Sequence, residues 1–279
     1  MRRFLLKTFL SLSAVSLACL IYGFFIEPKQ LKIRKHEFVS DKYQGPDLRI
    51  GMIVDIHMGG MHVPTERVSK LVERMNDLEP DIVLIPGDFI DGVPPRGDRS
   101  EEFNRGIREG LSALSGLKAP SYATLGNHDG DYDASFVQKQ LEAANIPVLN
   151  NNALRLSYFC LVGLEDEFTG TPNRAAFDPC GLDLPPLVMM HSPDSYYALR
   201  PNSILALTGH THGGQINLPI FGRRINSTGL GPEHSYGFTK LGGVDFYVSS
   251  GVGTSKIPAR FRSPPEIVVI TLKSMTRLD

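Results

Sequence analysis

Ile204-Leu205-Ala206-Leu207-Thr208-Gly209-His210-Thr211-His212-Gly213-Gly214-Gln215 joins an apolar run of strand length to a glycine-rich turn that carries two histidines. Two positions apart, His210 and His212 project to the same side of an extended or tightly turning backbone. Glycine lets the chain turn sharply and lets backbone approach a ligand closely. Two imidazoles on such a turn, just beyond a buried strand, make half of a metal site. Taken alone, the turn is equally well a solvated loop.

Four other apolar runs end in the same manner. Ile53-Val54 leads into Asp55-Ile56-His57, and Leu84-Ile85-Pro86 into Gly87-Asp88. Ala123-Thr124-Leu125 leads into Gly126-Asn127-His128-Asp129, and Val188-Met189-Met190 into His191. Strands are predicted over 48–56, 81–86 and 122–125. Residues 65–79 (Val68, Leu71, Val72, Met75, Leu78) and 100–116 (Phe103, Ile107, Leu111, Leu114) place apolar side chains at helical spacing, and a third helix is predicted over 134–144. This alternation predicts a parallel sheet with helices packed on it. After Pro147 strand-like runs dominate, at 154–157, 159–164, 187–190, 204–207, 246–249 and 267–272. One α/β domain of two packed sheets, with helices outside, is the economical architecture. Ligands of open α/β sheets bind at the carboxyl ends of strands. Five such loops would therefore bring Asp, Asn and His side chains into one cavity. Each loop by itself reads as an ordinary turn or cap; five in succession do not.

Composition sets outer bounds. A chain of 279 residues buries a substantial core. Net charge of −1 gives no global electrostatic case for nucleic-acid binding, and none is expected. Cys19, Cys160 and Cys180 have no CxxC spacing. Cys160 and Cys180 could pair in an exported domain, but two free, partly buried thiols are the expectation.

Residues 8–26 carry no charge and are long enough to cross a bilayer. Arg2-Arg3 ahead of them resembles a twin-arginine export signal, but no convincing cleavage site follows, so an uncleaved anchor in a bacterial inner membrane is expected. The resulting division is 1–27 as anchor or signal, 28–47 as linker and 48–279 as catalytic domain. Arg2, Arg3 and Lys7 on one flank face Lys29, Lys32, Arg34, Lys35 and Lys42 on the other, so basic residues alone pick no side. The twin-arginine resemblance favours the outside.

In order, the loops D-x-H, G-D, G-N-H-[DE], H and G-H-x-H resemble the signature of the calcineurin-like metallophosphoesterase superfamily, with every element present. The segment from Gly251 to Glu266, together with the N-terminus, is similar to a membrane-associated bacterial branch that includes exported phosphodiesterases and a UDP-2,3-diacylglucosamine pyrophosphatase. The resemblance implies a four-layer α/β/β/α sandwich of two mixed sheets and two divalent metal ions. Carried over by position, one ion takes Asp55, His57, Asp88 and His212, and the other takes Asp88, Asn127, His191 and His210. Oxygen and imidazole donors suit Mn²⁺, Fe²⁺ or Zn²⁺. His128 is expected to face the substrate as a catalytic group, with Asp129 orienting it or its loop. Arg260 and Arg262 are candidates to grip a distal phosphate, and Gln215 to steady His212 or its loop.

The implied activity is hydrolysis of a phosphodiester or pyrophosphate bond. A lipid-linked substrate such as UDP-2,3-diacylglucosamine is the concrete version, since the anchor would hold the domain at a membrane. An exported phosphodiesterase of broad specificity is the alternative. A non-catalytic scaffold on the same fold would be expected to have lost ligands, and this chain has the full set.

Overall fold

The chain is described by a computed structural model covering residues 1–91, 100–223 and 227–277. Its first sheet contains β1 (Lys32–Ser40), β2 (Leu48–Met52), β3 (Ile82–Pro86) and β4 (Ser121–Thr124). The second contains β5 (Asn152–Arg155), β6 (Cys160–Gly163), β7 (Pro186–Met189), β8 (Leu205–Thr208), β9 (Gly237–Leu241) and β10 (Val244–Val248). The last strand, β11 (Glu266–Ser274), returns to the first sheet, whose order is β1-β11-β2-β3-β4; the second runs β5-β6-β7-β8-β10-β9. Both sheets are mixed: β2, β3 and β4 pair in parallel while β11 runs antiparallel to β2.

Helices α2 (Thr65–Asn76), α3 (Glu101–Ala113) and α4 (Asn127–Ala143) cover the outer face of the first sheet. In α2 the buried residues Val68, Leu71, Val72 and Met75 recur at helical spacing and form one apolar stripe. Burying each such side chain is worth about 1.5–3 kcal/mol. A second core lies between the sheets, where Ile50, Met52 and Leu84 meet Leu187, Leu205 and Leu207. The fourth layer is thin: short helical turns at Arg174–Cys180 and Pro193–Ala198 close the outer face of the second sheet.

Two expectations are corrected. The stretch 28–47 is not a linker throughout, because Lys32–Ser40 pairs in parallel with β11 over its whole length. Its charged side chains look solvated because β1 is a sheet edge with one side to water. Cys160 and Cys180 are joined by a disulfide, not free. The pairing links β6 to the turn at Arg174–Cys180, two neighbours that spacing in the sequence does not reveal.

Helix α1 (Arg2–Ile21) stands exposed, and the helical run Arg2–Lys29 contains an 18-residue window with a mean hydropathy of 2.2, enough in length and composition to cross a membrane. Its end is fastened to the domain. Glu27 is buried, and its carboxylate accepts from the backbone N–H groups of Arg262 (2.9 Å) and Ser263 (2.6 Å). Arg260 N–H donates to the Gly23 carbonyl at 2.9 Å, and Tyr22 meets Phe261 edge-on. Glu27→Ala would strand two donors, each at a cost of about 1–3 kcal/mol. The expected result is a lower Tm for the full chain in detergent, with Glu27→Gln between the two because it retains one acceptor.

Candidate metal centre

Residues Asp55 and His57 follow β2, Asp88 follows β3, Asn127 and His128 open α4 just after β4, His191 follows β7, and His210 and His212 follow β8. All lie at one end of the two sheets, as expected for strand carboxyl termini. The backbone is bent to deliver them: Asp55, His57, Asp88, His210 and His212 all have positive φ, between 50° and 68°. For non-glycine residues that conformation costs on the order of 1–3 kcal/mol each, and such strain gathers at functional sites. Gly209 and Gly126 are needed for closeness. A Cβ at Gly209 would stand 2.4 Å from Val54 and 2.7 Å from Asp55 Oδ2, and one at Gly126 would stand 2.2 Å from Asp88 Oδ1.

The donor atoms form two adjoining groups that share Asp88. In the first, His57 Nε2 and His212 Nε2 are 3.1 Å apart, and Asp88 Oδ2 is 3.5 Å from His57 Nε2. Asp55 belongs to the same cluster, its two oxygens each 3.0 Å from the His210 N–H. In the second, His191 Nε2 has three neighbours at 3.2 Å: Asp88 Oδ2, Asn127 Oδ1 and His210 Nδ1. A single ring proton can serve one of these three; a cation among them serves all, so the donor set fits a metal ion. Backbone carbonyls aim the rings. His191 Nδ1 donates to Pro86 O at 2.9 Å, and His210 Nε2 donates to Ser227 O at 3.1 Å, which turns the other nitrogen of each inward.

Electrostatics report the same crowding. Burial, then neighbouring cationic groups, pushes His57 down to about 3, and burial with the charge of His191 does the same to His210. Burial also lowers His191, but the Asp88 charge and hydrogen bond, then Asp55, outweigh it and hold the imidazole up at about 10. Burial drives Asp55 up to about 7 against the attraction of His191. Asp88 is held well below the usual carboxylate range, because His191 and His128 overcome its own burial. The pocket is thus buried, and Asp88 keeps its negative charge there.

A cavity of about 440 Å³ opens over this cluster, lined by Asp88, Asn127, His128, His210, His212, Phe168 and Lys256 among others. His128 faces it with Nε2 3.2 Å from Ser255 Oγ and Nδ1 4.0 Å from Asp91 Oδ1. Asp91 is also 4.0 Å from His57 Nδ1. Its carboxylate between two site histidines had no signal in the sequence beyond nearness to Gly87-Asp88. Phe168, stacked on His210 at 4.9 Å, was missed too; a lone aromatic in a loop carries no pattern.

One expected role is narrowed and others change. Asp129 is turned inward: its oxygens accept from Phe89 N, Ile90 N and Gly126 N at 2.9–3.2 Å. Of the two expected roles, orienting His128 or its loop, it takes the second: it ties the loop that carries Asn127 and His128 to the one that carries Asp88. Arg260 does not grip phosphate. It is fully buried, with its guanidinium donating to the carbonyls of Ser250, Gly251, Gly253 and Ser263 and lying 3.3 Å from His212 Nδ1. Arg262 lines a separate recess with Arg223 and Glu233, away from the metal-site cavity. Gln215 steadies the Ser255 segment, bonding Ser255 N, Ser255 O and Ile257 O, while His212 is braced by Arg260.

Comparison with known proteins agrees with this geometry. A family profile described as calcineurin-like phosphoesterase matches residues 48–250. The phosphodiesterase YaeI of Escherichia coli is 29% identical over 90% of this chain and 92% of its own length. A metallophosphoesterase of Helicobacter pylori J99 is 31% identical over 97% of this chain and 72% of its own. Among solved structures, a dimetal phosphatase of Danio rerio superposes with a TM-score of 0.50 at 13% identity, covering 81% of this chain and 99% of that one.

Proposed function

Because the chain belongs to the calcineurin-like phosphoesterase family, whose members hydrolyse phosphoester bonds, we propose that it is a membrane-anchored phosphodiesterase working with two divalent ions outside the cytoplasm. The observation that carries the dimetal reading is the shared Asp88, one carboxylate oxygen set between two clusters of converging nitrogens. Asp55, His57, Asp88 and His212 would hold one ion, and Asp88, Asn127, His191 and His210 the other. Mn²⁺, Fe²⁺ and Zn²⁺ all suit this donor set. When bound, such a pair neutralises phosphoryl oxygens and lowers the pKa of a water to about 7.

The chain's own residues supply the rest. His128, at the cavity wall, reaches toward a substrate and can donate a proton to the departing oxygen or stabilise charge on phosphorus. Asp91 Oδ1 lies 4.0 Å from its Nδ1, and Ser255 Oγ lies 3.2 Å from its Nε2. Phe168 and Lys256 border the opening and would meet the substrate beyond the reacting phosphate.

Two features support an extracytoplasmic domain. The Cys160–Cys180 disulfide suits an oxidising compartment, and the N-terminal Arg2-Arg3 ahead of an apolar helix resembles a twin-arginine signal. A transmembrane protein of Danio rerio with a metallophosphoesterase domain is 29% identical over 81% of this chain and 53% of its own length, which supports membrane attachment. Hydrolysis of UDP-2,3-diacylglucosamine is the second reading, favoured by the apolar helix fastened beside the site.

Full-length protein in detergent with Mn²⁺ is expected to hydrolyse bis(p-nitrophenyl) phosphate, and a chelator is expected to abolish the reaction until metal is restored. Turnover that persists without metal would sink the mechanism. A parallel assay on UDP-2,3-diacylglucosamine separates the two substrate readings.

A further inference from the structure

A second hollow of about 410 Å³, almost wholly apolar, shares no lining residue with the metal-site cavity. One wall is α1, through Val15, Ser16, Cys19 and Leu20; the other comes from Ile216, Leu218, Pro219, Ala259 and Phe261. Beyond it the turn at 218–222 projects outward. Ile220 is fully exposed at 102% and Phe221 at 63%, an uncommon posture for two large apolar side chains at the tip of a loop.

The helix wall sets the depth. Val15, Ser16, Cys19 and Leu20 all lie inside the uncharged run 8–26. At 1.5 Å of rise per residue, Val15 stands about 16 Å along the axis from Ile26, roughly half of a hydrocarbon core of about 30 Å. A loop that shares a hollow with those residues shares their surroundings. Gly222 N donates to Leu218 O at 2.9 Å, Asn217 N donates to Phe261 O at 2.8 Å, and Pro219 has no N–H to satisfy.

We propose that the turn Leu218–Gly222 dips into the same bilayer as α1, and that an acyl chain of a bilayer lipid fills the hollow between them. This rests on the membrane anchoring proposed above. The protein would then be held at two points, with the metal-site cavity fixed in orientation relative to the membrane surface. Lipid, not a second protein chain, is the occupant because the hollow is continuous with a helix face whose own length and apolarity match a bilayer.

The chain contains no tryptophan, so a single introduced Trp reports its own surroundings. Full-length I220W, L10W and L182W are compared in phosphatidylcholine vesicles with plain or brominated acyl chains. Leu182 is 98% exposed on a turn of the second sheet's outer layer, which makes it the water-facing control. The expected result is loss of most emission for both L10W and I220W in brominated vesicles, with L182W unchanged. Quenching of L10W with I220W behaving like L182W overturns the proposal and leaves the anchor intact. A blue-shifted but unquenched I220W overturns it in favour of a second copy on the turn. Unquenched L10W overturns the anchoring itself. Should I220W fail to fold, F221W at the neighbouring exposed position gives the same readout.

Discussion

Asp88→Asn is expected to lose bound metal and hydrolysis together. Its Oδ2 lies 3.2 Å from His191 Nε2 and 3.5 Å from His57 Nε2, while Oδ1 accepts from His128 N at 2.9 Å. An amide keeps one acceptor but puts N–H where the other oxygen stood, and it removes the negative charge. Changing a group that merely supports a ligand costs about 10–100-fold in metal affinity, so the shared carboxylate should exceed the top of that range. The charge matters for the pocket as well. Asp88 is what holds His191 up at about 10 against burial, so the variant should release the His191 proton at lower pH. Metal content by mass spectrometry and turnover should fall in parallel; full metal content with normal activity would show that Asp88 is not shared.

His128→Ala should separate what Asp88→Asn joins. His128 lines the cavity, and its ring meets Ser255, the His57 ring edge-on at 4.6 Å between centroids and, at 4.0 Å, Asp91. Its backbone N–H, which bonds Asp88, survives the substitution. Both ions should therefore remain, while turnover falls by about 10²–10⁴-fold, the usual contribution of a positioned proton donor. The loss should be smaller with a good leaving group such as p-nitrophenolate than with an alkoxide, because the former needs little protonation. Equal losses on both substrates would assign His128 to binding phosphate, and unchanged turnover would remove it from the chemistry.

Most of this centre was legible because its ligands sit at the ends of apolar runs. β3, β7 and β8 are buried along their whole length and β2 from Ile50 onward, so they read as apolar stretches, and the polar residues after them stand out. Two edge strands, β1 and β9, were not legible. β1 reads Lys32-Ile33-Arg34-Lys35-His36-Glu37 before Phe38 in a strand that borders only β11; Lys35 and Glu37 face water, whereas Arg34 pairs with the buried Glu266 at 3.4 Å. β9 is the other hidden edge. Arg260 was misjudged for a related reason. An arginine in a Pro-flanked loop looks solvated, and the carbonyls of Ser250, Gly251, Gly253 and Ser263 that make its burial tolerable come together only in the folded chain. Asp129 likewise shows an acid beside a histidine in sequence, whereas three backbone donors draw it the other way.

The place of β11 has a consequence for biogenesis. This strand lies between β1 and β2, both of which are made long before it. Until it arrives, β2 lacks one neighbour, and the Asp55–His57 loop that follows β2 has no closed sheet beneath it. Residues 266–274 must therefore be made before the reactive cleft can exist, even though α1 has already emerged. Any carrier that moves the domain across a membrane meets either a nascent chain with no working centre or a completed, closed body.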